Sequence, residues 1–142
     1  MKKLKVGILT IICALAMVMP VMAVPTVSEY FGQMGMLITG TLTRTYDYQG
    51  GRPVVKHIEI KTKTSETASK VRTKYMIQDK VTGVEAAVNN SSITNTFDDT
   101  NVNTLNWNSI NSRECDTTYK VYGTHEAYRN GVWKAVYTSD VL

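Results

Sequence analysis

The chain has 142 residues, with 16 Lys and Arg against 12 Asp and Glu. Two cysteines are present, at positions 13 and 115, and only the second falls outside the N-terminal apolar segment. A lone cysteine in the remaining domain excludes an internal disulfide, so the core alone must hold the fold. About 119 residues is enough for that, because a domain of this size buries well over half of its unfolded surface.

The first 23 residues read as a secretory signal. Lys2, Lys3 and Lys5 precede an apolar run from Val6 to Val18, Pro20 follows, and Val21-Met22-Ala23 supplies small or aliphatic side chains at the cut. The run is shorter than the roughly 20 residues a spanning helix needs. The expectation is therefore an exported, extracellular protein that starts near Val24 and forms one domain over 24–142. Three lysines leave with the signal and no acid does. The balance becomes 13 against 12, a net charge of +1. The basic pI thus resides in the discarded segment and gives no support for a nucleic-acid partner.

Alternation of period two dominates the rest. Met34, Met36, Ile38, Gly40 and Leu42 occupy one face of a first strand, with threonines between them. "DYQGGRP" (Asp47 to Pro53) is turn chemistry, since two glycines supply positive φ. The next stretch sets Val54, Ile58 and Ile60 against His57, Glu59, Lys61 and Lys63. "SETAS" then reads as a turn. Beyond it Val71, Thr73, Tyr75 and Ile77 point inward and Lys70, Arg72 and Lys74 outward. "DKVTG" is a further turn, and Val84, Ala86 and Val88 start another strand. Asn89 to Ser112 carries eight asparagines, which predicts loops and short irregular strands anchored by Leu105 and Trp107. The pattern amounts to an all-β domain, an antiparallel β-sandwich or small barrel of about seven or eight short strands.

The last hairpin is the most informative segment. Asn130-Gly131 suits a type I′ turn, which needs positive φ at both central residues. A two-residue loop pairs Arg129 with Val132 and Tyr128 with Trp133. One face then collects Tyr122, Thr124, Glu126, Tyr128, Trp133, Ala135, Tyr137 and Ser139. The other collects Val121, Gly123, His125, Ala127, Val132, Lys134, Val136 and Thr138. Large aromatics are the usual filling of a sandwich, which favours a buried aromatic face with Glu126 at an edge or beside Arg129. The opposite arrangement leaves Tyr122, Tyr128, Trp133 and Tyr137 in solvent as a platform. Such rings suit sugars or a protein partner, with Glu126 accepting hydroxyl hydrogens.

A second candidate surface is basic: Lys61, Lys63, Lys70, Arg72 and Lys74 on the outer face of one predicted hairpin. From Arg52 to Lys80 there are eight basic and three acidic residues, and from Val81 to Tyr119 one against five. Such a ribbon could meet an anionic polymer or lipid surface, or simply guard a strand edge. Motifs for other chemistry are weak. His57 and Glu59 share a strand face but lack a third ligand. "DDTNVN" lacks the glycine and distal acid of a calcium loop. No nucleophile elbow is present, and Glu114 and Asp116 oppose thiolate formation at Cys115. No cofactor or metal is expected.

Three functional expectations follow. The first is a non-enzymatic module binding cell-surface glycan or polymer through Tyr122, Glu126, Tyr128, Trp133 and Tyr137. The second is an antibacterial or membrane-acting protein, suggested by the basic ribbon and the apolar "MGMLITG". The third is an inhibitor or interaction module for another exported protein, through Cys115-linked dimers.

Overall fold

The structure is a computed structural model that describes residues 24–108 and 119–141. The expected signal segment, 1–23, and Cys115 lie outside the described residues. The described chain is all-β, a single six-stranded antiparallel sheet bent until it nearly closes into a barrel. The strands are β1 (Thr26–Phe31), β2 (Met36–Gln49), β3 (Arg52–Asp79), β4 (Ser92–Asn108), β5 (Tyr119–Arg129) and β6 (Val132–Val141).

Six strands replace the expected seven or eight for two reasons. "SETAS" is not a turn. The two stretches that flank it belong to the single 28-residue β3, and its pairing with β4 slips between Lys63 and Ala68. Residues 64–67 form a bulge that bends the strand without ending it. The Asn-rich segment is no loop either. Ser92–Asn108 runs as a 17-residue strand along β3, because the long partner offers a ladder on both sides of its bulge that outweighs weak local propensity. The strand expected from Val84 to Val88 is absent. That segment makes one isolated bridge, Gln78 with Glu85, and caps one end of the core.

β3 is the spine. Its first half pairs with β2, its second half with β5, and both halves pair with β4. A strand has two edges, so β4 runs along one and β2 and β5 share the other. The bend at 64–67 folds the β1–β2 side over the β5–β6 side. No backbone ladder joins β6 to β1 or β2 among the described residues. Side chains bridge the seam instead. Arg44 on β2 pairs with Asp140 on β6 at 2.5 Å, and Asn130 Nδ2 donates to the Gln33 carbonyl at 3.3 Å.

The interior has three layers. One apolar cluster holds Leu42, Ile58, Ile60, Tyr75, Ile77, Trp107 and Val121, among others. A second holds Met34, Met36, Ile38, Ala68, Val71, Ala127 and Val136. Between them in register lies a polar belt of Thr62, Thr73, Asn103, His125 and Thr138, all buried. His125 Nε2 meets Thr138 Oγ1 at 2.8 Å, and Nδ1 meets Thr62 Oγ1 at 3.0 Å. Thr62 Oγ1 meets Thr73 Oγ1 at 2.6 Å, and the Thr73 hydroxyl donates to the Asn103 carbonyl at 3.4 Å. That last carbonyl accepts only, which orients the chain of bonds. Thr62 donates to Thr73, His125 donates from Nδ1 to Thr62, and Nε2 accepts from Thr138. The imidazole is neutral, and burial lowers its pKa to about 4. Asn103 ties β4 across its register slip with β3, where its Nδ2 donates to the carbonyls of Val71 (2.9 Å) and Asn95 (3.1 Å).

Candidate functional site

The turn at Asn130-Gly131 has φ of 54° and 79°, the positive values a type I′ turn requires. The hairpin register follows from it: Arg129 faces Val132, Tyr128 faces Trp133 and Glu126 faces Ala135. The sequence predicts this pairing. It leaves open which face turns inward, and the general preference for buried aromatics fails here. His125, Ala127, Val136 and Thr138 are buried, whereas Tyr122, Trp133 and Tyr137 are 37%, 38% and 67% exposed. The reason lies in the partner layer. Gly40 and Gly123 leave the room that the inward His125 ring occupies, since a Cβ on Gly40 would lie 2.2 Å from the imidazole and one on Gly123 2.9 Å from its Nε2.

β5 pairs with the second half of β3, so its outward residues continue onto that strand. Lys70 faces Tyr128, Arg72 faces Glu126, Lys74 faces Thr124 and Met76 faces Tyr122. The aromatic and basic surfaces, separate in the sequence, therefore share one face. The basic set itself is divided. Lys61 and Lys63 precede the bulge and lie between β2 and β4, on the other layer from Lys70, Arg72 and Lys74. The expected five-residue ribbon on one hairpin is thus corrected to two groups, because β3 bends rather than turns.

Within the shared face two halves differ. Around Trp133 the groups are fixed. The Arg72 guanidinium sits 4.3 Å from the indole centroid and pairs with Glu126, and Tyr128 lies tilted against the indole at 5.3 Å. The hydrogen bond to Glu126 raises the pKa of Arg72. Glu126 is consequently committed to Arg72 rather than presented as a free acceptor. Around Tyr122 and Tyr137 the groups are open. A shallow depression of about 200 Å³ is lined by Lys74, Met76, Gln78, Tyr122 and Thr124. Lys120 Nζ lies 4.8 Å from the Tyr122 centroid. Lys120, Met76 and Gln78 escape notice in the sequence, since only the β3–β5 register brings them together. Lys70 pairs with Asp98 at 3.3 Å.

The remaining candidates do not converge. His57 Nδ1 contacts Asn108 Oδ1 at 2.8 Å. In "DDTNVN", Asp98 turns to Lys70 while Asn103 turns into the core. No group of three metal-ligating side chains occurs among the described residues. The apolar "MGMLITG" is core, with Met34, Met36 and Ile38 buried. No helix among the described residues is long and apolar enough to cross a membrane. The chain matches no protein-family model, no curated protein and no solved structure.

Proposed function

We propose that the protein is an exported, non-enzymatic binding domain that takes a cell-surface glycan or polymer on the outer face of β3, β5 and β6. The observation that carries this reading is the exposure of Tyr122, Trp133 and Tyr137 on a rigid ribbon whose opposite face is core. Three partly open rings on one ordered surface bury apolar C–H area at little conformational cost. Trp133 and Tyr137 sit four residues apart on β6, about 13 Å along the strand, a span that suits an extended chain ligand. The buried place of Met34, Met36 and Ile38 removes one motive for the membrane-acting alternative.

The test is intrinsic fluorescence. Trp107 is buried and Trp133 is exposed, so a ligand on this face changes the emission of Trp133. Titration with wall polysaccharides should shift the wild-type spectrum and leave folded Trp133→Phe unresponsive. Tyr137→Ala should weaken the response while keeping the far-ultraviolet dichroism. Silence of the folded wild-type protein towards every polymer defeats the proposal.

A further inference from the structure

We propose that the open half of this face is a subsite for a carboxylate-bearing sugar, held between Lys74 and Lys120 beside Tyr122. The inference rests on the polymer-binding reading above and gives it a ligand class. Three cross-strand rows build the subsite: Lys74 faces Thr124, Met76 faces Tyr122, and Gln78 faces Lys120. All six residues have outward parity, and five of them line the depression of about 200 Å³. Gln78 Nε2 contacts Met76 Sδ at 3.1 Å, which holds both side chains at its floor.

Charge selects the ligand. Elsewhere on this face the cations are neutralised, Lys70 by Asp98 and Arg72 by Glu126. Lys74 has no ion-pair partner among the described residues, and the contact recorded for Lys120 is the ring of Tyr122. Two positive charges therefore flank one aromatic ring, with no carboxylate between them. The Thr124 hydroxyl and the Gln78 amide add hydrogen-bonding capacity, and Tyr122 and Met76 add apolar surface.

A ligand must satisfy all three properties at once. A neutral sugar leaves both ammonium groups uncompensated. A polyphosphate offers charge but no apolar surface for Tyr122. A uronic acid carries a C–H face, hydroxyls and a carboxylate on one ring. A single-stranded nucleic acid also combines rings and charge, but its recognition uses a cationic groove that tracks the backbone. Here the neighbouring cations Lys70 and Arg72 are already paired.

Isothermal titration of the protein with polygalacturonate and with its fully methyl-esterified form isolates the carboxylate. Wild type should bind the acid form about tenfold tighter than the ester, and added salt should erase most of the difference. Lys74→Gln and Lys120→Gln should each weaken the acid form several-fold and leave the ester unchanged. Both are solvent-facing substitutions, and far-ultraviolet dichroism checks the fold. Equal affinity for the two polymers, lost in Tyr137→Ala but untouched by the lysine variants, overturns the subsite and leaves the polymer-binding face standing. Absence of binding to both forms overturns the subsite too. Tighter binding of a thymidine oligonucleotide than of polygalacturonate overturns it in favour of nucleic acid.

Discussion

Gly40 and His125 meet across the barrel interior so closely that a Cβ on residue 40 would lie 2.2 Å from the imidazole Cδ2. Gly40 stands on β2 in the same apolar register as Ile38 and Leu42, and its lack of a side chain is what admits the ring. Gly123 does the same from β5, where a Cβ would lie 2.4 Å from Thr138 Oγ1. Since the contact at residue 40 is with a ring wedged between two threonines, neither partner can swing away.

Gly40→Ala should therefore destabilise the fold by about 2–3 kcal/mol, the usual scale of overpacking in a dense core. Urea denaturation measures it. The cost should shrink in a His125→Ala background, because the clash partner is gone, and a coupling of at least about 1 kcal/mol is expected from the double-mutant cycle. Additive costs would show that the two residues do not compete for this space.

Stability should depend on pH through His125. The folded imidazole is neutral with a pKa of about 4, whereas an unfolded histidine titrates near its model value of 6.5. Below 6.5 the unfolded chain binds a proton that the folded chain refuses, so acid favours unfolding. The contribution is complete above pH 6.5, falls as pH drops, and levels off near 4. Its ceiling is about 3 kcal/mol, at 1.36 kcal/mol per pKa unit. Urea melts between pH 7.5 and 5, above the ordinary carboxylate range, should trace the slope, and it should vanish in His125→Gln. A slope that survives this substitution assigns the effect to other groups.

The β5–β6 turn gives a local prediction. Gly131 has φ of 79°, a region a side chain occupies only under strain. Gly131→Ala should cost roughly 1–2 kcal/mol. Asn130→Gly keeps the turn geometry and removes one weak bond to the Gln33 carbonyl, so its cost should be smaller. Thermal melts of the two variants settle the order.

The division of the outer face into fixed and open halves predicts unequal stability effects. Tyr137 is two-thirds exposed, so Tyr137→Ala should change stability by less than about 0.5 kcal/mol. Trp133→Ala removes the Arg72 stack and the Tyr128 contact and should cost about 1–2 kcal/mol. Equal losses at the two positions would mean that the halves are not distinct.

What the sequence made legible was local. The Asn130-Gly131 turn, the β5–β6 register and the inward set Val71, Thr73, Tyr75 and Ile77 all follow from period-two alternation and turn chemistry. The anchors Leu105 and Trp107 stand out as large apolar side chains of an Asn-rich segment, and both are buried. The long-range choices were not legible. Residues 64–67 carry turn-forming side chains, and the β4 pairing on either side of them keeps β3 one strand. Asn95, Asn103 and Asn106 suggest loop, yet β3 draws them into a ladder. The seat of His125 inside the barrel depends on Gly40, a residue more than eighty positions away. The meeting of Lys74 with Tyr122 and Lys120 depended on the β3–β5 register, which no local pattern encodes.

The length of β3 bears on how the chain reaches this state. Its 28 residues pair with β2, β4 and β5, so it takes part in most of the sheet's cross-strand ladders. Only the β2 half can zip from a tight turn. The β5 half must wait for partners about fifty residues downstream, since Lys70 pairs with Tyr128 and Asp79 with Tyr119. Loop closure of that size is costly before any contact rewards it, which places folding in the slow range of roughly milliseconds to seconds typical of non-local β topologies. During that wait the second half of β3 displays an unsatisfied edge, and the charges of Lys70, Arg72 and Lys74 along it would hold nascent chains apart.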